Sequence, residues 1–359
     1  MQEKIKVLVV DDSAFMRKVI SDILDGGDSI TVVGTARNGA EALEKIRELN
    51  PDVVTLDVEM PVMNGISCLK EIIRERFVPV VMISSLTKKG TQTTLAALEE
   101  GAVDFIAKPS NLFEMKNDEK KREIIDKIKS AKHAKDVKSL SKNSIQSRLK
   151  SDIVKSSHIK KYVVIGTSTG GPRALQEVIT SIPGDVPAAF LVVQHMPPGF
   201  TRSLAERLDG LSELKVTEAA DGDLVAPGHV YIAPGDHHMV FEITDLQQVK
   251  IRLSKAPPSG GHRPSVDTTM ESFSDTGLKN VIAVIMTGMG GDGSNGIRKI
   301  KTVNNGYIIA QDEQSCVVYG MPKMAVQTGM VDKVVPLRQI STEILNNLGV
   351  HTYGDEPIS

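Results

Sequence analysis

The sequence predicts an α/β protein built from two doubly wound parallel sheets, one in each half of the chain. Short β-branched runs alternate with amphipathic segments, which is the pattern of βα units. The 359 residues exceed what one ordinary core accommodates. Between the two patterned regions lies a stretch poor in large apolar residues, where a linker is expected.

From Ile5 to about Ala131 the runs "IKVLVV", "TVVGTA", "VVTLD", "VPVVMIS" and "AVDFIAK" read as strands, separated by helical patterns such as "AFMRKVISDIL" and "AEALEKIREL". Five such units make a parallel sheet covered by helices. The composition then shifts: "DVKSLSKNSIQSRLKSDIVKSSHIKK" is rich in Lys, Ser and Asp and reads as a solvated connection. A second α/β region begins at Tyr162, with strands expected at "YVVIG", "AFLVVQ", "HVYIAP", "VIAVIMT" and "GYIIAQ". The expected domains are 1–130 and 161–348, joined by a linker over 131–160. No internal repeat is visible.

Composition removes several function classes. A hydrophobic content of 40% with 25% charged residues is ordinary for soluble globular domains, and a net charge of -2 gives no basic footprint for nucleic acid. The two cysteines, Cys68 and Cys316, are far apart and lack metal-ligand spacing, as in a reducing compartment, so a cytoplasmic location is expected. The opening "MQEKIKVLVV" has too short an apolar run for a signal peptide, and no run of about 18 apolar residues suggests membrane insertion.

In an open parallel sheet, ligands sit beyond the carboxyl ends of the strands. In the first half Asp11 and Asp12 follow the first strand, Asp57 closes the third, Ser84 the fourth and Lys108 the fifth. Any one of these is most simply a turn-capping residue. As a set, three carboxylates at one edge need a cation, and an all-oxygen, water-rich site suits Mg²⁺. A lysine and a hydroxyl opposite would favour a phosphoryl oxygen.

In the second half, Gly166-Thr167-Ser168-Thr169-Gly170 is a G-x-S-x-G turn between a strand and a helix whose start suits Pro172. A phosphate cradle would normally add a P-loop lysine or spaced glycines, and both are missing. A glycine-rich turn with an idle serine is an equally ordinary reading of the turn alone. A nucleophilic serine needs a base and a group to orient it. His195 follows one apolar strand and Asp292 another, so both would share the carboxyl edge with Ser168. His262, in a Gly/Pro loop, is the rival base. His237 and His238 are adjacent and would face opposite ways on a strand, a poor metal pair.

The motifs "VVDDS", "TLDVEMPVMNG", "MISS" and "AKPS" resemble bacterial response-regulator receiver domains, over about residues 4 to 130. That resemblance implies a flavodoxin-like (βα)5 fold, Asp57 as phosphoacceptor, Mg²⁺ held by Asp11, Asp12 and Asp57, and Ser84 and Lys108 as readers of the phosphoryl group. Phe105 matches the aromatic switch position, although a phenylalanine on a strand is also ordinary core. The motifs "IGTSTGGPRAL", "VVQHMPPGFT", "YIAPGDHH", "GHRPSVD", "IMTGMGGDG" and "SCVVYGMP" are similar to the catalytic domain of chemotaxis protein-glutamate methylesterases, over about 160 to 345. In this order the two halves resemble the CheB family.

The family resemblance implies an α/β serine-hydrolase domain whose chain order, Ser, His, Asp, is not that of α/β-hydrolases. It implies hydrolysis of glutamate γ-methyl esters on chemoreceptors, giving glutamate and methanol, with deamidation of receptor glutamines open to the same chemistry. Ser168 would be the nucleophile, His195 the base and Asp292 its orienting partner, with backbone N–H groups at Thr169 and Met289 as the oxyanion hole and no cofactor for the ester chemistry. A chemotaxis histidine kinase would phosphorylate Asp57, relieving an N-terminal domain packed over the cleft, and a monomer is expected. The rivals are a DNA-binding output, a nucleotide-binding module and an esterase for small molecules.

Overall fold

The computed structural model describes residues 3–75, 78–108, 118–134 and 158–349. The chain divides into two compact units near residue 139. Most of the expected linker, 131–160, lies outside the described residues.

The first unit runs β1 (Ile5–Val10), α1 (Ala14–Asp25), β2 (Ile30–Ala36), α2 (Gly39–Leu49), β3 (Val53–Asp57), α3 (Gly65–Glu75), β4 (Val80–Ser84), α4 (Lys88–Glu100), β5 (Asp104–Ala107) and α5 (Asp118–Lys132). Its five strands pair in parallel in the order β2-β1-β3-β4-β5. Every residue of β3, β4 and β5 is buried, as expected of strands covered on both faces. Side-chain caps open the helices where the sequence supplies them: Ser13 accepts from Met16 N, Asn38 from Glu41 N and Thr87 from Gly90 N.

The second unit runs β6 (Lys161–Thr167), α6 (Gly171–Ile179), β7 (Ala188–Gln194), α7 (Phe200–Asp209), β8 (Lys215–Glu218), β9 (His229–Ile232), β10 (His238–Ile243), β11 (Val249–Ser254), α8 (Val266–Asp275), β12 (Val281–Ile285), α9 (Ser294–Asn304), β13 (Tyr307–Gln311), α10 (Met321–Gln327), β14 (Lys333–Val335) and α11 (Leu337–Asn347). Seven strands form a wholly parallel sheet, β14-β13-β12-β6-β7-β9-β8. Its central strands β7 and β12 are buried throughout, and side chains such as Phe190, Val192, Val284 and Ile309 are wholly removed from water. Each contributes about 1.5–3 kcal/mol of burial.

All five strands expected here are present. The antiparallel ribbon β10–β11 and the short edge strands β8 and β14 are additions to that expectation. The ribbon buries Met239, Phe241, Val249 and Ile251 in the core of this unit, and β10 packs on α8. No helix among the described residues is long and apolar enough to cross a membrane.

Candidate active site

Each unit gathers polar side chains at the carboxyl end of its sheet, at the point where the strand order reverses. In the first unit this point lies between β1 and β3, and in the second between β12 and β6. Loops on either side of such a point diverge and leave a crevice.

In the first crevice, Asp57 ends β3 and is 2% exposed; Asp11 is buried and Asp12 exposed. One carboxylate oxygen from each lies within 4.8 Å of the others. Three hard oxygen donors, one of them open to solvent, fit a divalent cation that retains water. Lys108 Nζ lies 2.8 Å from Asp57 Oδ2 and 3.0 Å from Asp11 Oδ2. Burial pushes the Asp57 carboxyl up, the Lys108 hydrogen bond pulls it down, the Asp11 charge raises it again, and it stands at about 6. Ser84 is buried, and its hydroxyl donates to the carbonyl oxygens of Gly90 (3.1 Å) and Ser85 (3.2 Å). Asp12, Asp57, Ser84 and Lys108 help to wall a cleft of about 250 Å³. Phe105 is buried, with Lys127 Nζ 4.7 Å from its ring centroid and 2.6 Å from its carbonyl oxygen.

In the second crevice, Ser168 follows β6 and is half-buried. Its N–H donates to Thr287 O (3.0 Å), and its carbonyl accepts from Gly171 N (2.8 Å). Gly170 has φ 77°, and a Cβ there would also strike Val317, so the turn into α6 requires glycine. The ladder pairs Thr167 with Gln194, and His195 N donates to Thr167 O at 3.2 Å. Ser168 and His195 are therefore the next residues along neighbouring strands.

His195 Nε2 lies 2.8 Å from Asp292 Oδ2, and both side chains are 8% exposed. Asp292 follows β12 and accepts three more hydrogen bonds, from Ser265 Oγ (3.0 Å), Val266 N (2.7 Å) and Asp267 N (2.8 Å). Ser265 is the N-cap of α8, so the carboxylate sits on a helix N-terminus. Burial pushes the Asp292 carboxyl up, but His195 and the backbone amides of Asp267 and Val266 outweigh it and hold the group at about 2. A permanent anion on Nε2 fixes that nitrogen as the donor. The other ring nitrogen, Nδ1, is buried and makes no hydrogen bond with the described residues. Its lone pair is left without a partner among those residues.

His262 is not remote from this pair: its ring stacks on that of His195, with centroids 3.9 Å apart and planes 10° from parallel. Arg263 anchors the loop that carries it. The guanidinium pairs with Asp236, through Nε at 3.1 Å and through Nη2, and donates from Nη1 to Ala256 O (3.1 Å) and Lys255 O (3.4 Å). His238 is buried between Pro257 O and Ser265 N, and burial pushes its pKa down, whereas His237 faces Gly235 O. Thr169 is buried, with its carbonyl held by Thr287 Oγ1 at 2.9 Å. Gly288 approaches so closely that a Cβ on it would lie 2.8 Å from Ser168 Cβ, so the Gly288–Met289 peptide borders Ser168. Cys68 and Cys316 are buried and not disulfide-bonded.

Ser265, the two amides of α8 and the contact with His262 were not anticipated. The block "GHRPSVD" supplies all of them, but Ser265 and the two amides meet Asp292 across about 27 residues and His262 meets a ring still farther away, with no local signal.

The fold and these two crevices define a class: a phosphoacceptor-type acidic sheet edge in one α/β unit, and a hydrolase-type serine, histidine and carboxylate in the other. The chain belongs to the CheB methylesterase family, whose family model matches residues 163–344, preceded by a match to the response regulator receiver domain over 7–118. It is 49% identical over 354 residues to a protein-glutamate methylesterase/protein-glutamine glutaminase of Syntrophomonas wolfei, covering 96% of this chain and 99% of the relative. The corresponding protein of Pyrococcus horikoshii is 47% identical, with 98% of each chain covered. Among solved structures, the CheB methylesterase catalytic domain of Thermotoga maritima aligns with a TM-score of 0.50 and 47% identity, over 52% of this chain and 97% of that one.

Proposed function

We propose that this protein is a phosphorylation-activated protein-glutamate methylesterase and protein-glutamine glutaminase, acting on chemoreceptors in bacterial chemotaxis. The observation that carries the reading is the 2.8 Å pair between His195 and Asp292 at the end of the strands flanking Ser168. In this mechanism Ser168 Oγ attacks the carbonyl carbon of a glutamate γ-methyl ester while His195 Nδ1 takes its proton. Asp292 stabilises the imidazolium that forms. The oxyanion is met by backbone N–H groups at Thr169 and Met289. The C–O bond to the leaving group then breaks as the imidazolium proton passes to the departing methoxide oxygen, giving methanol and the acyl-enzyme. Water, deprotonated by His195, releases glutamate from the acyl-enzyme. A glutamine side chain would follow the same steps with ammonia as the leaving group.

The first unit supplies the regulation. Asp57 is the phosphoacceptor, with a chemotaxis histidine kinase as donor. Asp11, Asp12 and Asp57 would hold Mg²⁺, which offsets phosphoryl charge when bound. Lys108 and Ser84 then face the phosphoryl oxygens, and inward movement of Ser84 with Phe105 biases a two-state surface. The protein is proposed to be a cytoplasmic monomer with residues 1–130 as receiver, 131–160 as linker and 161–348 as esterase.

The test is methanol release from methylated chemoreceptor membranes, with and without Mg²⁺ and a small phosphodonor. Release that needs Ser168, with stimulation that needs Asp57, supports both sites and their coupling. Absence of methanol under either condition would return the Ser168 turn to a binding loop.

A further inference from the structure

Directly beneath Ser168 and His195 lies a buried amide that the steps above do not use. Gln194 is the last residue of β7 and is 2% exposed. Its Nε2 donates to Ser168 O at 2.9 Å and to His195 O at 3.3 Å. Its Oε1 is buried and accepts no hydrogen bond from the described residues. The amide fits only because residue 171 is glycine: a Cβ there would lie 1.9 Å from Gln194 Oε1 and 2.5 Å from Thr167 Oγ1.

A buried acceptor left unpaired costs about 1–3 kcal/mol, which a leucine of similar volume would avoid. The amide is thus a poor choice for packing and a good one for its two N–H donors. Each donor holds the carbonyl of one functional residue, and a carbonyl is rigidly attached to the Cα from which the side chain grows. The two bonds therefore fix how far the root of the serine lies from the root of the imidazole. A displacement of about 1 Å between reacting groups costs on the order of 100-fold in rate.

We propose that Gln194 is a positioning residue for ester hydrolysis, clamping the main chains of Ser168 and His195 so that His195 Nδ1 stays within reach of Ser168 Oγ. The proposal rests on the reading of Ser168 as nucleophile and His195 as base.

Two variants of the full chain test it, with Mg²⁺ and phosphodonor present, by methanol release from methylated receptor membranes at varied substrate and pH. Gln194→Leu removes both donors at similar volume. Its kcat should fall roughly 10- to 100-fold with KM within about twofold of wild type, because substrate binding does not use the clamp. Gln194→Glu keeps the shape. Its carboxylate repels both carbonyls, whereas its protonated form can donate to one, so the ratio of its kcat to that of wild type should rise roughly tenfold from about pH 8.5 to about pH 6. A purely structural role would lower thermal stability without giving the ratio that pH dependence. A Gln194→Leu kcat within about twofold of wild type, or a ratio flat with pH, overturns the proposal. If Gln194→Leu does not fold, the pH dependence of Gln194→Glu decides alone. Wild-type protein that releases no methanol counts against the hydrolase reading itself, a result distinct from active wild type with indifferent variants.

Discussion

Asp57 and Asp292 occupy comparable places in the two units, the first closing a central strand and the second in the loop after one, each at the reversal of its sheet, and both are largely buried. Yet the first carboxyl stands at about 6 and the second at about 2. Burial raises both; the neighbours decide the outcome. Asp292 accepts from an imidazole, a hydroxyl and two helix amides, so its charge is fully solvated by the protein. Asp57 faces Asp11 and Asp12 and shares one ammonium with Asp11. One site is electrostatically complete and suits a group that must stay charged through every turnover. The other is short of positive charge, as suits a carboxylate that receives a cation and a phosphoryl group.

The largest expected effect separates the two sites outright. Ser168→Ala should lower methanol release by roughly 10⁴-fold with the fold intact, whereas Asp57→Ala should leave the unstimulated rate and abolish stimulation by phosphodonor. Next, Asp292→Asn should lower turnover by about 10²- to 10⁴-fold and destabilise the second unit. Because the folded Asp292 carboxyl lies below its unfolded value, its stabilisation, about 2 kcal/mol, is present above about pH 4 and lost as pH falls towards about 2. Urea unfolding of variant and wild type should therefore differ by a constant amount above about pH 5 and converge in acid.

Asp57 should show the opposite sign. Its folded value lies above the unfolded one, so the native first unit takes up the proton first. Wild-type stability in a divalent-free buffer should rise by about 2 kcal/mol as pH falls from about 7 to about 4. Asp57→Asn removes the ionised form, so it should be the more stable protein at neutral pH and lose that advantage by about pH 4. Added Mg²⁺ should shrink the advantage, and a destabilised Asp57→Asn protein at neutral pH would contradict the account. The smallest effect is at Ser265, where Ala removes a helix cap and one donor to Asp292. A loss of about 1 kcal/mol in the second unit with a several-fold lower turnover is expected.

The parallel strands were readable in the sequence because burial on both faces writes them as unbroken apolar runs, as in "AFLVVQ". Residues directly after those runs were readable as site candidates for the same reason: Ser168, His195, Asp57 and Asp11 all follow or close a buried strand. The ribbon β10–β11 was not, since its buried residues alternate with polar ones and its turn, Thr244–Gln248, lacks an Asn-Gly signal. Nor was Gln194, which looks like an ordinary strand end until the lack of a side chain at 171 shows where its amide goes. Helix-end donors to Asp292 come from a segment remote in sequence, so only the folded chain brings them together.

The anchoring of the His262 loop bears on which sequence changes the family can accept there. Ser168, His195 and Asp292 inherit their places from the sheet, but His262 sits beyond a two-stranded ribbon, with the exposed Gly260 and Gly261 just before it. Its register against His195 is held by the reciprocal backbone pair of Ser259 and His262 and by the planar side chain of Arg263, spanning a carboxylate and two carbonyls. Lysine cannot reproduce that fork. Change at 260 and 261 is limited by their positive φ of 58° and 83°, which favours glycine, and change at 263 disturbs the placement of the His262 ring against that of His195.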